Sequence, residues 1–102
     1  MKVIDKASWQ IDGGIRHTDV VAHFRKIFTW LATKGLLTAE GKEIMEIGID
    51  ESVSLHERLV TSEALSFLEA TYDDYVKSYP YGTDEDSSAL EKSYAAFQQP
   101  VK

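Results

Sequence analysis

The fold of this chain is decided by residues 18–35, which read TDVVAHFRKIFTWLATKG. Thr18 can cap a helix through its hydroxyl, Asp19 complements the positive helix end, and Gly35 can end the helix in a left-handed conformation. Apolar side chains recur every three or four residues between these signals and form one stripe: Val20, Phe24, Ile27, Phe28 and Leu31. The spacing predicts a central core helix over residues 19–34.

Thr38 and Thr61 each begin a further predicted helix, because a threonine hydroxyl can accept a hydrogen bond from a free amide at a helix start. The first of these helices covers residues 39–46. Its spacing turns two isoleucines inward, Ile44 and Ile47. The second helix extends to about Tyr79 and ends before Pro80, since the residue before a proline avoids the helical conformation.

The long helix that begins after Thr61 carries its own apolar stripe. The members of the stripe are Leu65, Leu68, Tyr72, Tyr75, Val76 and Tyr79. A stripe about 100° wide is typical of a helix that packs one face against a core. Phe67 points almost the opposite way, beside Asp74, and the periodicity therefore leaves it free of the core.

A last helix begins at Ser88, which forms a capping box with Glu91 three residues later. Three apolar side chains share one face of this helix, and Pro100 closes it; they are Leu90, Tyr94 and Phe97. The sequence therefore predicts a mainly α fold, a small compact bundle of about four helices, in a single domain over residues 1–102.

Two segments leave alternatives open. Residues 1–17 fit a short N-terminal strand or an extended arm that ends at Gly13-Gly14. Residues 47–55 fit a small hairpin, since apolar residues alternate with polar ones on both sides of a turn. The same region also fits a helical turn, because Ser54 and Glu57 have the spacing of a capping box, and we slightly favour the turn.

Charge is distributed unevenly over the 102 residues, whose net charge is −6. Residues 1–45 contain seven Lys or Arg and five Asp or Glu, whereas residues 46–102 contain four and twelve. An acidic field repels nucleic acid and anionic lipid and attracts basic protein partners. The chain has no cysteine, no apolar run of membrane-spanning length and no signal-peptide pattern, so we expect a cytoplasmic protein that binds neither nucleic acid nor membrane.

No catalytic or metal-binding pattern is found. The three histidines lack the spacing of zinc ligands, and His23 is predicted to border the core near Trp30. A calcium loop read from Asp84 has alanine where glycine and glutamate are required, and one read from Asp50 has leucine at the sixth position. We therefore expect no enzymatic activity, no metal and no cofactor.

Tyrosines and carboxylates are interleaved in the last third of the chain, a mixture that favours a protein interface. The residues predicted to bind a partner are Asp74, Tyr79, Tyr81, Asp84, Glu85, Asp86 and Phe67. The expected partner is a basic protein. The alternative is a structural, self-associating protein, a monomer or weak homodimer in which Phe67 and the apolar flank of Trp30 form the contact.

The stretch Tyr79-Pro80-Tyr81-Gly82-Thr83-Asp84-Glu85-Asp86-Ser87, with the helix that follows it, resembles the immunity proteins that neutralise nuclease colicins. The resemblance covers about residues 79–98. That family consists of small acidic four-helix domains that bind a basic toxin through tyrosines and carboxylates. The resemblance implies an inhibitor of a basic protein, with Tyr79, Asp84 and Asp86 in contact with it.

Overall fold

The computed structural model describes residues 2–81 and 88–98. The mainly helical fold is confirmed: within these ranges lie five helices and a two-stranded antiparallel sheet. In chain order the elements are β1 (Val3–Lys6), α1 (Ala7–Asp12), α2 (His17–Thr33), α3 (Ala39–Ile47), β2 (Ser54–His56), α4 (Ser62–Ser78) and α5 (Ser88–Gln98). The element that the sequence did not predict is the short helix α1.

Helix α2 is the centre of the core, as predicted. All five members of its apolar stripe are fully buried: Val20, Phe24, Ile27, Phe28 and Leu31. The helix begins at His17, so Thr18 lies inside the first turn and no side chain caps the start at Arg16. Gly35 follows the helix with a φ of 70°, the left-handed conformation expected at this position.

The predicted caps of α3 and α4 are confirmed. Thr38 Oγ1 accepts a hydrogen bond from the Gly41 amide, and Thr61 Oγ1 accepts one from the Ala64 amide, each at 3.2 Å. An antiparallel bridge between residues 37 and 60 joins the segments that precede these two helices. Both threonines also donate their backbone amides across this bridge, so the two helix starts are held side by side.

Ile47 does not face inward as predicted. It is the last residue of α3 and is 78% exposed, whereas Ile44 one turn earlier is half-buried. Gly48 follows it with a φ of 116°, a conformation that turns the chain away from the helix axis. The periodicity of α3 was therefore a poor guide at its final turn, where no other described element covers the side chain of Ile47.

The N-terminal segment is not an extended arm. Strand β1 pairs antiparallel with β2, in the register Val3↔His56, Asp5↔Leu55 and Lys6↔Ser54, with a bulge between Val3 and Asp5. The hairpin considered within residues 47–55 does not form, and the favoured helical turn at Ser54 is wrong. The N-terminal strand β1, which is distant in sequence, supplies the backbone hydrogen bonds here, and no local pattern reveals that partner.

Phe67 is fully buried, so the prediction that it lies free of the core is wrong. Its ring packs against Trp30, Tyr94 and Phe97 with centroid distances of 5.6, 5.1 and 5.6 Å. We call these four residues the aromatic cluster. Helix α4 is buried on two sides, because α5 covers the side opposite to the predicted stripe. A single-face periodicity argument cannot anticipate this second contact.

Candidate functional site

Asp5 is the centre of a buried polar cluster. Its side chain is 2% exposed, on the strand that the bulge bends. Oδ1 accepts hydrogen bonds from the Lys6 amide (2.8 Å) and Gln10 Nε2 (2.9 Å). Oδ2 accepts from the Tyr72 hydroxyl (2.6 Å) and from the Tyr81 hydroxyl. These donors come from four parts of the chain and occupy both oxygens of a group that, when ionised, can only accept.

His23 extends this cluster into the core. Its Nε2 lies 2.8 Å from the Tyr72 hydroxyl oxygen. Because the single hydroxyl hydrogen of Tyr72 is donated to Asp5, the imidazole must donate its Nε2 hydrogen to that oxygen. The Tyr81 ring covers the imidazole with a centroid distance of 4.2 Å. We call Asp5, Gln10, His23, Tyr72 and Tyr81 the polar cluster.

The imidazole of His23 is held neutral. Burial lowers its pKa from 6.5 to about 4, an effect that the negative charge of Asp5 opposes and the positive charge of Lys26 reinforces. Burial, together with the nearby Asp5, also raises the pKa of Tyr72 and of Tyr81. Both hydroxyls therefore stay protonated and act as donors, and no member of the cluster is set up as a nucleophile.

A cleft of about 300 Å³ opens beside the polar cluster. Trp9, Asp73 and Lys77 line it together with the edge of Asp5 and Tyr81. Trp9 is 52% exposed, and Lys6 Nζ lies 5.6 Å from the centroid of a Trp9 ring. The charges around the cleft are mixed in sign, and Asp5 already has its hydrogen-bond donors. The arrangement ties β1, α1, α2 and α4 together beside a cleft whose lining includes the side chain of Asp73.

The predicted partner-binding residues are placed in four different environments. Asp74 is exposed on α4, and Tyr79 is half-buried against Tyr75 with a centroid distance of 5.5 Å. Tyr81 is half-buried, with its hydroxyl bound to Asp5, so that hydroxyl is not available to a partner. Phe67 is buried and cannot contact a partner. The remaining three predicted residues, Asp84, Glu85 and Asp86, lie outside the described residues.

The dimer contact predicted through Trp30 and Phe67 is also excluded by burial. Trp30 is 4% exposed and donates its indole hydrogen to Glu91 at 3.0 Å. The rings of Trp30 and Phe67 both belong to the aromatic cluster and pack inside the domain. The prediction that His23 borders the core near Trp30 is wrong. His23 is 4% exposed and lies inside the core, where its ring contacts tyrosines.

Sequence reasoning missed Asp5, the residue with the most hydrogen-bond partners in this site. No local sequence signal marks it, because its core position becomes visible only in the structure, where Asp5 pairs with the fully buried Leu55. A charged residue at a core position requires compensating donors. The residues that supply them, Tyr72 and Tyr81, are 67 and 76 positions away in sequence, which is why no motif shows the pairing.

Two exposed carboxylates distinguish the last turns of α4. Asp73 and Asp74 lie on the surface between Tyr72 and Tyr75, which are 6% exposed each. The inward tyrosines fix the rotation of the helix and thereby fix the direction of the carboxylates. We call Asp73, Asp74 and Tyr79 the acidic end of α4.

No family model, no curated protein and no solved structure matches the chain. Functional inference therefore depends on the geometry described above. None of the helices in residues 2–81 and 88–98 is both long and apolar enough to cross a membrane. Over the same part of the chain, no three His, Asp or Glu side chains form a group that could hold a metal ion.

Proposed function

We propose that this chain is a small non-catalytic protein-binding module that docks a basic protein partner through the acidic end of α4. The observation that carries the proposal is the exposure of Asp73 and Asp74 on a helix whose neighbouring tyrosines are buried. Carboxylates on a rigid element steer a basic partner and fix its orientation without an ordering cost. Tyr79, half-buried at the end of the helix, adds aromatic contact area.

The sequence supports an inhibitor as the specific role. Asp84, Glu85 and Asp86 follow Tyr81 within five residues and continue the acidic character in sequence. Their pattern underlies the resemblance to immunity proteins of nuclease colicins, which act by covering a basic toxin. A basic enzyme whose active surface is covered by this module would lose activity, and the module itself would need no catalytic group.

Capture from a lysate of the source cells, with matched charge variants, tests this proposal. The protein and the control variant Asp12→Lys/Glu40→Lys should recover the same basic protein, whereas Asp73→Lys/Asp74→Lys should not. Both variants change the net charge equally, and all four carboxylates are exposed. Charge reversal at Asp84, Glu85 and Asp86 should weaken recovery in the same direction, and added salt should slow association.

Two results would contradict the binding proposal. Capture of the same proteins by both double variants would remove the acidic end of α4 from the interface. Recovery of no basic protein by the unmodified chain would remove the proposal as a whole. If a partner is captured and is an enzyme, an unchanged activity in the complex would exclude the inhibitor role and leave simple binding.

Self-association is the second candidate function. It is favoured by the exposed apolar side chain of Trp9, since the residues first predicted for a dimer contact are buried. Light scattering over a range of concentrations decides it. A mass equal to 11.5 kDa at high concentration excludes a homodimer, and a concentration-dependent doubling supports one.

A further inference from the structure

The end of α3 carries an apolar surface that no other described element covers. Ile47 is 78% exposed, and its side chain forms one wall of a groove of about 190 Å³. Ile44, Val53 and Leu59 line the same groove. A single exposed isoleucine is ordinary on a protein surface. Here the exposed side chain is continuous with the core through three further apolar residues, and so it forms an indentation.

The volume of the groove indicates what kind of group it can bind. Pockets that bind small molecules usually measure about 300–1,000 Å³, which is larger than this groove. An engineered cavity of about 150 Å³ in another protein holds benzene, so a groove of the size found here can accept one branched or aromatic side chain. The groove is therefore smaller than an ordinary small-molecule site and large enough for one side chain of a protein.

Exposed carboxylates are found on α3 and in the loop that follows it. Glu43 and Glu46 are exposed on α3, one turn before Ile47 and next to it in sequence. Asp50 lines the groove, and its Oδ1 accepts hydrogen bonds from the backbone amide and the hydroxyl of Ser52. These hydrogen bonds lower the pKa of Asp50 and keep it ionised. Residues 42–58 contain five Asp or Glu and two Lys or Arg, so this segment carries a net negative charge.

Not every nearby carboxylate belongs to this surface. Glu51 lines a different cleft, together with Arg25. The docking face consists of Ile47 and its groove, with Asp50 in the groove lining and with Glu43 and Glu46 exposed on the helix that carries Ile47. An apolar centre with a charged rim is the usual anatomy of a protein interface.

We infer that the end of α3 is a docking surface for a basic protein segment, which inserts one apolar side chain beside Ile47 and places flanking lysines or arginines on Glu43, Glu46 and Asp50. The inference goes beyond the proposed function, because this surface shares no residue with the acidic end of α4. A second copy of the chain is a poor occupant. In a two-fold symmetric contact each copy would present the same carboxylates to the other, and like charges repel.

A synthetic peptide, acetyl-Lys-Lys-Leu-Lys-Lys-amide, is the probe that tests this inference by nuclear magnetic resonance. Titration should shift the methyl signals of Ile44 and Ile47 and saturate. Replacing the leucine of the peptide with serine should abolish the methyl shifts, and replacing its lysines with glutamates should abolish binding. In the protein, Ile47→Ser and Glu43→Lys/Glu46→Lys should each weaken binding about tenfold or more.

The variant Asp73→Lys/Asp74→Lys is the matched control, because it makes the same change in net charge at the other acidic surface. It should bind the peptide as the unmodified protein does. Equal weakening by both double variants would show attraction to net charge alone and overturn the inference. Unchanged binding by Ile47→Ser would also overturn it, and so would a homodimer in light scattering that Ile47→Ser dissociates, since a second copy would then occupy the groove.

The amide spectrum of each variant establishes that the fold is retained. This experiment is independent of the partner at the acidic end of α4. Loss of that partner with intact peptide binding at Ile47 would remove only the proposed function, and the reverse pattern would remove only the docking surface at α3.

Discussion

The polar cluster and the aromatic cluster lie on different sides of α4 and are held together by different interactions. In the polar cluster, Tyr72 and three other donors converge on the single carboxylate of Asp5. In the aromatic cluster, the ring of Phe67 packs against three other rings. Hydrogen bonds in a buried network depend on every partner, whereas apolar contacts scale with the area that is buried. The two sides of one helix should therefore respond differently to substitution.

The largest expected effect is in the aromatic cluster. Phe67→Ala should lower the free energy of unfolding by roughly 3–5 kcal/mol, because it removes a fully buried ring and leaves a cavity beside Trp30 and Tyr94. Urea denaturation measures it. Phe97→Ala is the control within the same cluster and should cost clearly less, since Phe97 is 39% exposed. Equal costs at the two positions would show that α5 does not cover Phe67 as described.

The polar cluster should be sensitive to a change that hardly alters volume. Asp5→Asn should lower the free energy of unfolding by roughly 2–3 kcal/mol, because an amide nitrogen then faces donors that lose a charged acceptor. The exposed Asp12 provides the control, and Asp12→Asn should change stability by less than about 0.5 kcal/mol. If Asp5→Asn lowered the free energy of unfolding as little as Asp12→Asn does, the cluster would not depend on the charge of Asp5.

The pH dependence of stability separates the two clusters further. The pKa of His23 is about 4 in the folded protein and 6.5 when unperturbed, so between these values the unfolded chain binds a proton that the folded protein does not. Stability contributed by the neutral imidazole is complete above pH 6.5 and is lost as the pH falls towards 4. At pH 5 the loss relative to pH 7 should be about 2 kcal/mol.

Urea denaturation at pH 7 and pH 5 measures this difference. His23→Gln should remove most of the pH dependence in this interval, whatever its own effect on stability. His17→Gln, a substitution at an exposed histidine, should leave the dependence unchanged. The same slope in the unmodified protein and in His23→Gln would show that His23 is not held neutral.

The smallest expected changes in the free energy of unfolding come from removing one tyrosine hydroxyl in each cluster. Tyr72→Phe removes the donor to Asp5 and the acceptor for His23, and it should cost about 1–2 kcal/mol. Tyr94→Phe removes a hydroxyl that donates to Glu63, an exposed residue, and it should cost less than about 1 kcal/mol. Thermal unfolding of the two variants side by side measures the difference. A larger cost at Tyr94 would reverse the contrast between the clusters.

Much of the fold follows from local sequence. The five-residue stripe of α2 is buried as its period predicts, because a 3.6-residue repeat has only one face to bury. Thr38 and Thr61 cap their helices as predicted, since a cap depends on an amide only two or three residues away. One residue of the proposed partner surface also follows from local sequence. Asp74 is exposed, as expected for a residue on the side of α4 opposite to its apolar stripe.

Tertiary structure alone decided the rest. Phe67 is buried because α5 lies over it, Asp5 is tolerated in the core because Tyr72 and Tyr81 donate to it, and Ile47 is exposed because no described element covers it. Each of these outcomes depends on residues far away in sequence. Periodicity, caps and breakers are determined within a few residues of one another, so the sequence by itself determined the helices α2, α3, α4 and α5, whereas α1 became visible only in the structure. Which face of each helix is covered, and by what, was decided by how the elements pack.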